Sequence, residues 1–217
     1  MLRNLSQLKG LFKSDKNLIV FWKLLKIISF VKINIMNNTF LNFFKIALLI
    51  FVLPLSNCKK EEPEPLALGQ NYQGGIIVFL DDTGEHGLIA ATTDQHTNIA
   101  WCPGSCSVTN STATAPGSGK SNTDAIVAVQ KNGNYAAFIC EQLVHNGFDD
   151  WFLPSKDELN MLFVQSEAGR IGNFLAEEYW SSTEDDKDRA WQQHMDNGGA
   201  GAEIKVNRAC VRAMRAF

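Results

Sequence analysis

The chain has 217 residues, a formal net charge of -3 and 45% hydrophobic residues, which gives room for one domain with a targeting segment or for two very small domains. The charge is unevenly spread: residues 1–57 carry eight Lys/Arg and the single acid Asp15, net +7, whereas residues 58–217 carry 12 basic and 22 acidic residues, net -10. A basic, greasy leader ahead of an acidic remainder is what export requires, and the acidic remainder argues against nucleic acid or an anionic polysaccharide as main partner through long-range repulsion.

In chain order, Leu18 to Ile35 is hydrophobic and studded with lysines, and a 57-residue signal peptide would be very long. Met36 opens one of ordinary length, so residues 1–35 are expected to be a non-native upstream extension, the rival being an amphipathic helix on a membrane surface. Within 36–57, Ile46 to Leu55 is a ten-residue apolar run behind Lys45, too short for the roughly 20 residues of a spanning helix and right for a signal-peptide core. Leu55-Ser56-Asn57-Cys58 resembles a lipobox, with Asn57 slightly larger than the usual small residue. That resemblance implies a diacylglycerol on Cys58, cleavage before it, and attachment to a membrane through the N-terminal lipid. Residues 58–73 are expected to be a tether, because Lys59-Lys60-Glu61-Glu62-Pro63-Glu64-Pro65 has nothing to bury. Its charged start resembles the export signal of Bacteroidetes lipoproteins, which implies the outer face of the outer membrane.

The domain proper is read as 74–217. Gly74-Gly75 opens an apolar run to Leu80, Asp81 to Glu85 supplies turn residues, and His86 to Ala91 returns, which predicts a hairpin. Residues 92–122 are rich in Thr, Ser, Asn, Gly and Pro and read as a long functional or cross-linked loop. Helical spacing begins at Thr123, with Asn122 or Thr123 as cap, and continues after Lys131-Asn132-Gly133 through Ala136, Ala137, Ile139, Cys140, Leu143 and Val144. Ser155 and Glu158 form a capping box ahead of Leu159 and Leu162. Strands are predicted around Tyr179-Trp180-Ser181, at Ala190-Trp191-Gln192, and as one alternating strand from Ala209 to Arg215. The order of elements predicts an α+β domain with helices on a mostly antiparallel sheet.

Five stretches, GGIIVFLDDTGEHGLIAA, GSGKSNTDAI, DWFLPSKDELNMLF, YWSSTE and CVRAMRAF, resemble in this order the Lcl C-terminal-like domain family, a domain of unknown function named for a bacterial collagen-like adhesin. The resemblance runs from about Gly74 to Phe217. It implies a C-type-lectin-like fold, with two main helices packed on twisted, mostly antiparallel sheets, and surface or periplasmic proteins of which some bind glycans or matrix polymers.

Four cysteines remain after Cys58, an even number outside the cytoplasm, and three pairings are open. Cys102-Pro-Gly-Ser-Cys106 is short enough to close on itself. The resemblance implies a second bridge, Cys140 to Cys210, from the first helix to the last strand. Gly117-Ser118-Gly119-Lys120-Ser121 echoes a phosphate-binding loop but has Thr114 where that motif needs glycine and no buried strand before it. Trp151 and Trp180, flanked by apolar residues, are expected in the core. Trp101 and Trp191 are the candidate platforms for a sugar ring, core burial being the plain alternative for Trp101. Glu184, Asp185, Asp186 and Asp188 could supply oxygen ligands to Ca²⁺, or form a solvated loop. No histidine adjoins an evident nucleophile, and none stands at finger-like spacing to a cysteine. The expectation is a lipid-anchored, non-catalytic binding module for a glycan or protein ligand. A structural envelope lipoprotein and an enzyme on a lectin-like scaffold are the alternatives.

Overall fold

The computed structural model of the protein describes residues 64–217 and, before them, Lys23 alone. The upstream extension, the signal peptide, Cys58 and the charged start of the tether therefore lie outside the described residues. Those described in the domain form an α+β unit with nine strands and three helices.

The hairpin expected after Gly74 is present, and a short strand precedes it. Strand β1 (Asn71–Tyr72) turns through Gln73 and Gly74, both with positive φ (40° and 92°), into β2 (Gly75–Leu80). Consecutive positive-φ residues match the right-handed twist of paired strands. Leu66 and β1 thus pack onto the domain, in a stretch read from sequence as tether. Strand β3 (Gly87–Ala90) pairs antiparallel with β2, and the turn between them is held by Asp81. Its Oδ1 accepts from the Thr83 hydroxyl at 2.7 Å and from the N–H groups of Thr83 and Gly84. These bonds, the Thr83 hydroxyl first, hold its carboxyl below the usual range.

The stretch read as one long loop contains a strand, β4 (His96–Ala100), and the start of a helix. Helix α1 (Gly119–Gln130) begins four residues earlier than predicted, behind an N-cap at Ser118 that makes no side-chain cap bond. Asn122 and Thr123 do not cap it. The Asn122 amide donates to the Ala113 carbonyl, and the Thr123 hydroxyl accepts from the Leu153 N–H. Helix α2 (Ala136–Glu141) ends before Val144, which is exposed. Helix α3 (Lys156–Glu167) starts on the expected capping box, with Ser155 and Glu158 satisfying each other's backbone N–H. Strands β5 (Glu178–Glu184) and β6 (Arg189–His194) follow as expected. The unexpected β7 (Ala200–Ile204) comes next, then β8 (Arg208–Val211) and β9 (Met214–Ala216).

The final alternating stretch is two strands, not one. Strand β9 completes a sheet of order β1-β2-β3-β9, and β8 belongs to a second sheet of order β4-β8-β5-β6-β7. Pairing is antiparallel throughout except for the contact of β5 with β8 at Tyr179 and Cys210. The chain changes sheet at the buried Arg212. Its guanidinium donates to Asp94 (2.7 Å from Nε) and to the carbonyls of Ala91, Gly172 and Asn173.

Successive residues of a strand face opposite ways, and here both ways are buried. Ile77, Ile89, Trp180 and Val211 enter one apolar cluster with Ile126 of α1 and Ala136 and Cys140 of α2. Val78, Leu88, Tyr179 and Cys210 enter another with Leu159 and Leu162 of α3. Burial on both faces explains why Ile76 to Leu80 reads as an unbroken apolar run rather than an alternation.

The cysteines follow this division. Cys102 and Cys106 form a disulfide, with Cα atoms 5.5 Å apart. The bridge from Cys140 to Cys210 is not made, and both are free and buried. Cys140 lies in the cluster of α1 and α2, whereas Cys210 points to the α3 side, its thiol donating to the Thr97 carbonyl. The residue of β8 that faces the Cys140 cluster is Val211. Burial raises both thiols, Cys210 to about 11.

Candidate functional site

The expected sugar platform at Trp101 is not on the surface. Trp101 follows β4 directly into the core, is fully buried, and donates its indole N–H to the Ser181 carbonyl at 2.8 Å. The Lys205 ammonium lies 4.6 Å from its ring centroid. Trp151 and Trp180 are core residues as expected. Trp191 is half-buried on β6, but one ring face is taken by the Lys156 ammonium, 3.4 Å from its centroid.

Of the acidic group, Glu184 is not in the loop at all. It ends β5 as a buried carboxylate that accepts from Lys205 Nζ at 2.5 Å and from the N–H groups of Thr109 and Asn110. Asp185, Asp186 and Asp188 are exposed in the turn between β5 and β6. Asp186 folds back to accept from the N–H groups of Asp188 and Arg189 at 2.8 and 2.7 Å, which holds its carboxyl low. Among the described residues, no three His, Cys, Asp or Glu side chains gather closely enough to hold a metal ion, and the bonds of Asp186 make the exposed turn an Asx turn. The phosphate-loop echo is likewise accounted for. The Gly117 N–H donates to the Glu158 carboxylate at 2.7 Å, and a Cβ at Gly119 would stand 2.2 Å from the same group.

A different place on the domain is concave. An open cleft of about 280 Å³ lies between the β1–β2 turn, Thr92 after β3, and the turn at Asn146. The turns are locked together from behind. The Asn146 amide donates to the Gly74 carbonyl at 2.9 Å, and Asn146 itself takes positive φ (53°), which Asn tolerates better than most residues. On the other side, Arg215 of β9 donates to both the backbone carbonyl and the side-chain oxygen of Gln73. Arg215 is fixed in turn by a two-pronged pair with Asp150 (2.6 and 2.9 Å) and lies over the Phe148 ring. Its guanidinium holds the Asp150 carboxyl below the usual range.

What lines the cleft is uncharged, part polar and part apolar. The Asn71 amide, the Thr92 and Tyr72 hydroxyls, the Gln73 amide N–H and the Asn146 amide oxygen make no hydrogen bond to another described residue. The Tyr72 ring is half-buried, with the edge-to-face contact of Phe217 at 5.0 Å fixing its plane. This wall can exchange paired donor and acceptor bonds with hydroxyl or amide groups, and it offers an aromatic ring to an apolar face. The sequence reading missed it. Gln73-Gly74-Gly75 and Asn146-Gly147 are legible as turns, but nothing local places one beside the other.

Among solved structures, the chain is similar to a fimbrial protein from Bacteroides ovatus ATCC 8483, at 14% identity and a TM-score of 0.46; the likeness covers 71% of this chain and 45% of that one. The chain therefore spans less than half the length of that protein. No curated protein matches it. The sequence profile of the Lcl C-terminal domain matches residues 90–215, which include Thr92 and Asn146 at the cleft and Arg215 behind it, but not the β1–β2 turn. That match spans more than half of the sequence and bears out the resemblance carried by the five motifs: the chain belongs to the Lcl C-terminal domain family.

Proposed function

We propose that the protein is a lipid-anchored module of the bacterial outer surface that binds a neutral glycan in the Tyr72–Asn146 cleft, without chemistry of its own. The observation that carries this reading is the cleft wall, where amides and hydroxyls free of internal partners stand beside a half-buried tyrosine. Sugar hydroxyls need donors and acceptors in close alternation and an aromatic ring for the C–H face, and binding to pre-formed turns avoids ordering costs. The absence of ionised side chains from this wall favours a neutral saccharide over a sulfated or carboxylated one, as does the acidic charge of residues 58–217. The anchor rests on Leu55-Ser56-Asn57-Cys58 and the charged residues behind it. We read the fold as C-type-lectin-like, a reading supported by the first and last strands sharing one sheet, as its two edges, and by two main helices lying in separate apolar clusters.

The test is a glycan array probed with the full chain extracted from membranes in detergent, with mass analysis of its N-terminal peptide. The expected result is a diacylglyceryl Cys58 terminus and retention on one class of neutral glycan. Gln73→Ala with Asn146→Ala should weaken that retention at least tenfold, since two to three bonds of about 0.5–1.5 kcal/mol each are lost. Retention on anionic glycans alone, or equal retention by the double variant, would overturn the cleft assignment. A mature product that keeps Phe43 to Leu53 would overturn the anchor.

A further inference from the structure

Strand β7 ends the five-stranded sheet, and its outer edge has no partner strand among the described residues. The register shows which groups lie on that edge. Lys205 N–H donates to the Asp188 carbonyl and His194 N–H to the Gly199 carbonyl. In an antiparallel ladder bonded and non-bonded pairs alternate, so the pairs Ala190–Glu203 and Gln192–Gly201 exchange bonds across β6 and β7. Ala200, Ala202 and Ile204 then turn their N–H and C=O away from β6. The outward groups of Ile204 are used locally: its N–H donates to the Glu203 carboxylate at 2.7 Å and its carbonyl accepts from the Asn207 N–H. Those of Ala200 and Ala202 bond to no described residue.

An edge of this kind is usually blunted by proline, lysine, a bulge or a covering element. Strand β7 has no proline, lysine or arginine, and its pairing with β6 runs without a register shift. Its first three side chains are Ala200, Gly201 and Ala202, which let another backbone come close. The two faces of the edge differ in chemistry. Ala200, Ala202 and the half-exposed Ile204 share the α3 face with Trp191. Glu203 shares the opposite face with His194 and Glu178. Burial first, and then the nearby charges of Glu203 and Glu177, raise the Glu178 carboxyl against the opposing effect of His194. None of these three carboxylates has a salt-bridge partner among the described residues.

We propose that β7 is a strand-addition site for an extended segment of a partner protein in which basic residues alternate with apolar ones. The backbone of the added strand would bond to Ala200 and Ala202. Its apolar side chains would lie beside Ile204 on one face, and its basic side chains would meet Glu203 on the other. The same charges disfavour a second copy of this chain. Antiparallel pairing of two β7 edges about Ala202 would set Gly201 opposite the other copy's Glu203, with the two Glu203 carboxylates on one face at the diagonal spacing of about 7–8 Å.

The probe is a fluorescent, end-blocked seven-residue peptide alternating Val and Lys, titrated by anisotropy into the full chain in detergent, beside the same peptide with Glu for Lys. Saturable binding at least tenfold tighter for the Lys peptide is expected. Ala202→Pro removes an outward donor and no β6–β7 bond, and should weaken binding at least tenfold while leaving the melting temperature and neutral-glycan retention unchanged. Glu203→Lys should invert the peptide preference. The proposal is overturned by equal binding of both peptides, by an Ala202→Pro variant that binds as well as the parent, or by sedimentation showing a dimer that Ala202→Pro dissociates. Because glycan retention is read in the same samples, failure here is separate from failure of the cleft.

Discussion

The β2–β3 hairpin and the loop from Trp101 to Ser118 belong to one domain and are held by opposite means. The hairpin sends Ile77 and Ile89 into one apolar cluster and Val78 and Leu88 into the other, so it is fixed by burial on both faces. The loop contributes few large apolar groups beyond Trp101 and Cys102. Its backbone is gathered by polar side chains from elsewhere. Glu184 accepts from Thr109 and Asn110, Glu158 accepts from Gly117, the Ser155 hydroxyl donates to the carbonyls of Thr114 and Ala115, and Asn122 donates to Ala113. Burial raises the Glu158 carboxyl, while donated N–H groups, Ser155 first, pull it back. Apolar burial scales with area and weakens by degrees. A buried carboxylate network fails abruptly, because each lost member leaves a desolvated partner behind.

Nearly isosteric substitutions in the two regions put this contrast at risk. The largest effect is expected from Glu184→Gln, which leaves the fully buried Lys205 ammonium without its counter-charge. A loss of about 3–5 kcal/mol should appear as a lowered urea midpoint, and Glu184→Gln with Lys205→Met should recover much of it. A single-variant loss below about 1 kcal/mol would break the comparison. Next, Cys102→Ala with Cys106→Ala releases the start of the loop. The chain-entropy relation for a five-residue loop gives about 2 kcal/mol, and the parent protein with reductant should fall by the same amount. A loss as large as that of Glu184→Gln would mean that the covalent tie, and not the carboxylates, organises the loop. The smallest effect belongs to Ile89→Val in the hairpin, about 0.5–1.5 kcal/mol in the same titration.

What could be seen in the sequence was what acts locally. The hairpin turn at Asp81, the capping box of Ser155 and Glu158, and the strand at Tyr179 each depend on neighbours within a few positions. Strands β4 and β7 escaped because His96-Thr97-Asn98 and Ala200-Gly201-Ala202 hold only Thr97 of the branched and aromatic residues that mark a strand, and long-range pairing with β8 and β6 forms them instead. The break at Arg212 was hidden because a buried arginine keeps the alternation intact, and its partner Asp94 lies 118 residues away. The same non-locality hid the cleft, built from Tyr72, Thr92 and Asn146, and the failure of Cys140 to pair with Cys210, which depends on the side of β8 that Cys210 faces. Its place in a stretch that reads as a long loop offers Trp101 as a platform, with core burial as the alternative; in space it lies among Ile99, Ala209 and Val211, and the alternative holds.

The change of sheet at Arg212 also bears on when the domain can form. Within nine residues, β8 joins β4 to β5 and β9 closes against β3, with Leu88 meeting Ala216 and Ile99 meeting Ala209. Until Arg208 to Ala216 have emerged, the second sheet lacks an interior strand and the first an edge, and Asp94 lacks the guanidinium that neutralises it. Contacts so distant along the chain form late and slowly. If the chain is exported as proposed, threading from its N-terminal end would carry it to the far side before its domain could close.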